Sequence, residues 1–300
     1  MRQYRLPAIT DILIAQPLKG GFMERSTTAA KVSALTLSVY TSSAETFHVT
    51  STLVQGEKDA ILVDAQLTLT GGRSVVEMIK KSGKNLQAVY ITHGHPDHYW
   101  GINAIHEAFP AARIVSIQSV IDIINRFQVA KYAQWHPVFG SDIPENPIIP
   151  TALEGETLEL EGNVLKIWKG QGDVEGSSAV VIRSLNAVIA GDTVYNGVHP
   201  WTLDTDKAGR TRWAETLNQL MMLQPGTVVA GHKNPKAKDD LDAIIFTKKY
   251  IEAFDTVIES SHSAEEVIKR MNGQFPGLLL EPILQMAANA LFPKQKPAYV

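Results

Sequence analysis

From Lys31 onward the apolar positions fall into runs with two different periods. Leu35-Thr36-Leu37-Ser38-Val39-Tyr40 alternates with a period of two, Thr50 to Val54 is rich in β-branched residues, and Ala60-Ile61-Leu62-Val63 is a solid apolar run ending at Asp64. These are the marks of half-buried and fully buried strands, and the turn Gly56-Glu57-Lys58-Asp59 joins the last two as a hairpin. The pattern then predicts a helix over 74–81, a strand over 86–91, a helix over 104–109 closed by Pro110, a strand over 113–116 and a helix over 119–132. Prolines 137, 144, 147 and 150 make 136–150 an irregular loop. Strands resume at 157–160, 164–168, 179–182 and 187–190, followed by a helix over 211–223 and a last strand over 227–230. Beyond that the pattern is helical, over 239–259, 264–271 and 279–291.

Strands and helices thus interleave twice, each half opening on hairpins and finishing on helices. The layer solution is an α+β fold in which two sheets pack face to face with helices outside. Residues 1–30, with Pro7, Pro17 and the Gly20-Gly21 pair, read as an N-terminal extended arm. The sandwich spans 31–235, and 236–300 form a C-terminal helical extension packed on the same domain. A hydrophobic content of 44% is enough for a large core. With 28 basic against 31 acidic residues, a net charge of -3, no basic face for nucleic acid is implied. The absence of cysteine removes disulfides, thiolate metal sites and cysteine nucleophiles. No apolar run approaches the ~20 residues of a membrane span, and Met1 to Gln16 is too broken by Pro7, Thr10 and Asp11 to be a good secretion signal. A cytoplasmic protein with a small-molecule substrate is expected, with no nucleic-acid or membrane partner; a homodimer contact through the apolar C-terminal helices stays open.

The chemistry is concentrated in Thr92-His93-Gly94-His95-Pro96-Asp97-His98, directly after an apolar strand. Gly94 and Pro96 argue against a helix there, so the segment reads as a loop aiming imidazole and carboxylate donors into one small volume. Such donors suit zinc, iron and manganese. Asp192 in Val188-Ile189-Ala190-Gly191-Asp192 and His232 in Val228-Val229-Ala230-Gly231-His232 share one form, an apolar run, a glycine and a potential ligand. Glycine there lets the backbone turn sharply and leaves room beside a metal.

Taken together, these segments resemble the metallo-β-lactamase superfamily over about Leu35 to Pro235, the histidine loop matching that family's H-x-H-x-D-H motif. The resemblance implies a four-layer αββα metallo-β-lactamase sandwich with a dinuclear centre between the sheets. By position, His93 and His95 would hold the first metal, Asp97, His98 and His232 the second, and Asp192 would bridge them. Asp64 matches an aspartate that orients the histidine loop, although a strand-end turn aspartate has the same appearance. The family's usual third histidine for the first metal is replaced here, since Gly172-Asp173-Val174-Glu175-Gly176-Ser177 carries Asp173 in that place. Asp173 is the expected ligand, with Glu175 a weaker candidate. Two divalent ions, most simply Zn, against three carboxylates and a bridging hydroxide make a neutral centre, where the usual set keeps one positive charge. The pairing of two histidines with one carboxylate also suits iron, so Fe or Mn remains open.

The implied activity is a metal-dependent hydrolase, in which a metal-bridging hydroxide attacks a small ester, lactone or amide. Asp97 would bind metal and steer the nucleophile's proton. Tyr195, three residues after Asp192 as in the acyl-homoserine lactone lactonases, would polarise the substrate carbonyl or simply pack at a loop start. Trp100, His199, Trp201 and Lys233 are the candidate substrate-pocket residues, while His48, His106, His136 and His262 read as structural. Two other classes stay open: an iron-dependent oxygenase or oxygen reductase on the same scaffold, and a non-catalytic metal-binding scaffold.

Overall fold

The structure, a computed structural model, describes residues 34–293; the N-terminal arm expected over 1–30 lies outside them. Its first half runs β1 (Thr36–Thr41), β2 (Thr50–Gln55), β3 (Asp59–Val63), α1 (Leu69–Ser82), β4 (Asn85–Tyr90), α2 (Pro96–Tyr99), α3 (Ile102–Ala108), β5 (Arg113–Ser116), α4 (Gln118–Phe139) and β6 (Thr151–Ala152). These strands form one mixed sheet in chain order, antiparallel through β1–β2–β3 and parallel from β3 to β6.

The second half runs β7 (Thr157–Leu160), β8 (Asn163–Lys169), β9 (Ser178–Ile182), β10 (Ala187–Ile189), β11 (Tyr195–Asn196), α5 (Lys207–Met222), β12 (Thr227–Val229), β13 (His232–Lys233), α6 (Asp242–Glu259), α7 (Ala264–Gln274) and α8 (Glu281–Leu291). Its sheet has the order β12-β10-β9-β8-β7, with β10 and β12 parallel and the other pairs antiparallel. The short β11 and β13 pair in parallel beside it.

The two-residue period of a strand decides what each side chain packs against. On β9, Val180 and Ile182 enter a core shared with Leu53, Ile61 and Val89 of the first sheet. Ala179 and Val181 face the opposite way, toward Trp213 and Leu217 of α5 and Ile244 of α6. Both faces of the second sheet are therefore covered, and the two sheets are packed on each other with helices outside. The C-terminal helices add a smaller cluster built around Tyr250, Phe254, Val267, Met271 and Leu284. No helix among the described residues is long and apolar enough to cross a membrane.

Three of the differences from the sequence expectation have a local reason. Helix α1 begins five residues early, at Leu69, because the Thr68 hydroxyl accepts from Gly71 N as an N-cap. The Gly71-Gly72 pair masks this turn, and Gly72 is there for packing, since a Cβ on it would lie 2.5 Å from Gly101 O. Helix α4 runs through Pro137 to Phe139, the proline falling in the last turn, where a single ladder bond is forfeited. Residues Pro96–Tyr99 of the histidine loop close one helical turn, because a proline at the first helical position gives up no hydrogen bond.

The crossing of α1 and the segment after the histidine loop has no slack. A Cβ on Gly101 would sit 1.9 Å from Ala65 O, so Gly101→Ala is expected to cost about 3 kcal/mol or more. Gly273, in α7, meets nothing within 4 Å, so Gly273→Ala is expected to gain about 0.5 kcal/mol from helix propensity. Urea unfolding of the two variants measures both; a Gly101→Ala protein as stable as the parent would contradict the packing described.

Candidate metal centre

Every strand that delivers a ligand candidate ends at the same edge of the sandwich. Asp64 follows β3, the histidine loop follows β4, Asp173 follows β8, Asp192 follows β10 and His232 begins β13 just after β12. Ser178 closes the seam, its backbone N–H and its hydroxyl both donating to Thr92 O. From the first sheet, Thr50 Oγ1 reaches across to Ala230 O at 2.6 Å. The glycines preceding two of the ligands are required by space. A Cβ on Gly231 would fall 1.9 Å from Asp192 Oδ1, and one on Gly191 (φ +49) 2.3 Å from Thr92 Oγ1.

The seven residues expected to face metal converge in two groups, His93, His95, Asp173 and Asp192 in one and Asp97, His98 and His232 in the other. Asp192 reaches both: its Oδ2 lies 3.5 Å from His93 Nε2 and 3.1 Å from His232 Nε2, and its Oδ1 lies 3.1 Å from His98 Nε2. Asp173 Oδ2 is 3.1 Å from His95 Nδ1, and Asp97 Oδ2 is 3.1 Å from His232 Nε2. Glu175 is exposed and lies away from the centre, on an outer groove with Lys169 and Arg212.

The nitrogen of each imidazole that faces away from the centre is tied down. His98 Nδ1 is 2.8 Å from Asp64 Oδ2. His93 Nδ1 is 3.0 Å from Thr92 Oγ1, and that hydroxyl donates to Asp64 Oδ2. His232 Nδ1 is 2.6 Å from Phe47 O, and His95 Nε2 is 2.9 Å from Asp204 Oδ2. With a carboxylate, a carbonyl or, for His93, the Thr92 hydroxyl accepting on those sides, each ring keeps a proton there and leaves its other nitrogen to face the centre. Asp64 is thus a support for the loop and not merely a turn residue; its backbone sits at φ +62 and it also accepts from Thr92 N.

Asp204 has the same role for His95 and belongs to no sequence motif. Its Oδ2 also receives the Trp201 indole N–H at 3.0 Å and lies 3.3 Å from Lys131 Nζ. The loop that carries it is positioned only by the fold, so a motif search has nothing to find.

The donor set fits a metal pair. His93 Nε2 and Asp173 Oδ1 are buried without a hydrogen-bond partner, and His98 Nε2 and Asp192 Oδ1 face each other at 3.1 Å without the alignment of a hydrogen bond, a costly arrangement unless a cation satisfies them. Two buried His/Asp clusters sharing Asp192 are consistent with a dinuclear centre. The electrostatics agree. Burial alone would suppress charge on His95 and His232, yet their aspartate neighbours outweigh it and push both up to about 10. Asp97 is held low despite burial by His98 and His232, whereas burial and the neighbouring Asp192 carboxylate raise Asp173.

Of the pocket residues, His199 and Trp201 line the cavity over this centre, together with Tyr195 and Asp97. The Tyr195 hydroxyl lies 2.8 Å from Asp192 Oδ2 and 2.9 Å from Asp173 Oδ2, and its ring stacks on His232. Trp100 and Lys233 do not line the cavity. The turn at Pro96–Tyr99 carries Trp100 into the first core, where it is fully buried. Lys233 is drawn aside by the β11–β13 pairing, and its ammonium binds Asp239 at 2.5 Å. The cavity encloses about 510 Å³ counting its open mouth, and its upper walls are Phe47, Leu67, Trp135, Leu280 and Ile283.

Residues 44–232 match the metallo-beta-lactamase superfamily, and the chain belongs to that family. It is 29% identical over 157 residues to a probable metallo-hydrolase of Methanocaldococcus jannaschii, covering 52% of this chain and 72% of that one. To a hydroxyacylglutathione hydrolase of Synechococcus it is 26% identical, over 41% of this chain and 40% of the relative. Among solved structures, a metallo-beta-lactamase family protein of Thermus thermophilus superposes with a TM-score of 0.58 at 21% identity, covering 86% of this chain and 91% of that one. A beta-lactamase domain protein of Burkholderia ambifaria gives 0.59 at 17%, over 86% and 84%. At these identities the structures establish the fold, two mixed sheets flanked by helices, with α6–α8 lying beyond the matched family region.

Two outcomes follow from this geometry. Asp64→Asn keeps a residue tolerant of the left-handed backbone but turns an amide N–H toward donors, and metal affinity is expected to fall 10–100-fold; competition with a chelating dye measures it, and unchanged affinity would remove Asp64 from this role. His199 is pushed down to about 4 by burial, against a weak opposing pull from Glu281. Between pH 6.5 and 4 the unfolded chain takes a proton that folded His199 refuses, so stability falls as pH drops through that window. In excess chelator, His199→Gln is expected to lose less stability than the parent between pH 7 and 5; equal losses would contradict it.

Proposed function

We propose that the protein is a metal-dependent hydrolase of a small ester, lactone or amide, with two divalent ions held by His93, His95, Asp173, Asp97, His98 and His232 and shared by Asp192. Zinc is the first choice, with iron or manganese as alternatives. The observation that carries the reading is the convergence of four imidazoles and three carboxylates on one centre, of which His95, His232 and all three carboxylates line an open cavity. The likeness to the probable metallo-hydrolase of Methanocaldococcus and the hydroxyacylglutathione hydrolase of Synechococcus favours the same chemistry.

When bound, two such ions lower the pKa of water and stabilise negative charge at a carbonyl oxygen. The chain's residues supply the rest. Asp97 is the most exposed of the three carboxylates, its side chain 15% accessible, so it faces an incoming water as well as His232. It orients that water and takes up its proton. Tyr195 is fixed beneath the centre, its hydroxyl kept protonated by burial and by Asp173 and Asp192, and it holds these two carboxylates in register. The water oxygen bonds to the acyl carbon, the acyl C–O or C–N bond breaks, and the leaving group departs with the proton.

A redox reading has one specific observation in its favour: His93, His95 and Asp173 make a two-histidine, one-carboxylate set of the kind that holds iron. The test is a panel of esters, lactones and amides run with the zinc, manganese and iron forms, with oxygen uptake followed in parallel. Hydrolysis abolished by chelation, restored by metal and lowered about 100-fold or more in kcat by Asp97→Asn is the expected result. Oxygen consumption by the iron form with no hydrolysis in any form would transfer the assignment to redox chemistry.

A further inference from the structure

We infer that the cavity takes an uncharged substrate with an apolar chain and rejects anionic ones, because Asp204 neutralises the cationic side chain on its wall. This inference rests on the hydrolase reading above and names its substrate class.

The walls above the centre are apolar, and one of them is built at a cost. Leu280 holds φ +62, a left-handed backbone that a branched side chain adopts only with strain. It is kept there by a strand-like splice between the C-terminal segment and the loop beyond Asp192. Leu279 N donates to Gly197 O, and His199 N donates to Leu279 O. The splice delivers Leu280 and, one turn on, Ile283 to the cavity, so the apolar wall is a fixed part of the site.

Among the described residues that line this cavity, Lys131 is the only lysine or arginine. Its ammonium is 3.3 Å from Asp204 Oδ2 and lies over the Trp201 ring, 5.7 Å from the centroid. Asp204 is itself held by the Trp201 indole and by His95. An anionic group entering the cavity therefore meets a cation already paired, its partner Asp204 standing half-exposed just behind the lining. On the floor, Asp97, Asp173 and Asp192 would set three carboxylates against two divalent ions, one more negative charge than with a histidine at position 173. A carboxylate on the substrate would lose its water and gain no free partner, whereas an alkyl chain gains by burial against the walls.

The experiment compares 4-nitrophenyl butyrate with 4-nitrophenyl hemisuccinate, which differ by a terminal methyl against a carboxylate, on the zinc-loaded full chain. In both, water adds to the acyl carbon and 4-nitrophenolate leaves. A kcat/KM ratio of about tenfold or more in favour of the butyrate is expected, narrowing in Asp204→Asn, which frees Lys131 while keeping an acceptor for His95 and Trp201. Calorimetry with the unreactive anilides, butyranilide and succinanilate, reads the same preference as binding without turnover. Equal or tighter succinanilate binding, a ratio near one, or a ratio unmoved in a folded, metal-loaded Asp204→Asn protein would overturn the inference. Tighter butyranilide binding with neither ester hydrolysed would support the cavity's preference and overturn only the hydrolase reading.

Discussion

One buried carboxylate organises the site. Asp64, 2% exposed, accepts from the backbone N–H and the hydroxyl of Thr92 and faces His98 Nδ1. Through Thr92 it also sets the proton of His93, so two imidazoles take their orientation from a residue that faces no metal position itself. The backbone is arranged to allow this, since Asp64 N donates to Tyr90 O while Ala65 N donates to His98 O. The two residues after β3 thus bond in succession to the end of β4 and to the histidine loop. The left-handed conformation of Asp64 and the closeness of Gly101 to Ala65 O are the steric cost of this crossing.

The same logic explains why the two sheets must meet at small residues. Asp192 serves both ligand groups only because Gly231 lets its carboxylate approach the neighbouring chain and Gly191 turns beside Thr92. Tyr195 then fills the space beneath, flat against His232 and close to two carboxylates. Without cations the cluster favours protons: the surrounding aspartates, against the opposing effect of burial, push His95 and His232 up to about 10. Loading the centre with metal must release those protons, which couples metal uptake to pH.

The strands and their alternation were readable because burial on one or both faces writes a two-residue or continuous apolar period into the chain, as in β1 and β3. The facing ligands were readable for a related reason, as donors following apolar runs, two of them after glycines. What escaped were features fixed by distant partners. The first turn of α1 hides behind Gly71-Gly72, and the reason for Gly72 is Gly101, some thirty residues on. Trp100 adjoins the ligands in sequence, yet the single turn at Pro96–Tyr99 points it inward. Lys233 adjoins His232, but Asp239 takes its charge. Asp204 supports a ligand as Asp64 does, and nothing local marks it, because the contact with His95 spans more than a hundred residues.

The last ligand candidate is His232, whereas the far wall of the cavity is supplied by Leu280 and Ile283. Some fifty residues of polypeptide, folded into α6 and α7, separate the reactive floor from the surface that shapes what can reach it. During synthesis the part that carries the candidate ligands leaves the ribosome complete while its enclosure is still being made. The two can also drift apart over evolutionary time, since a replaced tail would redraw the chamber and leave the ligands where they are.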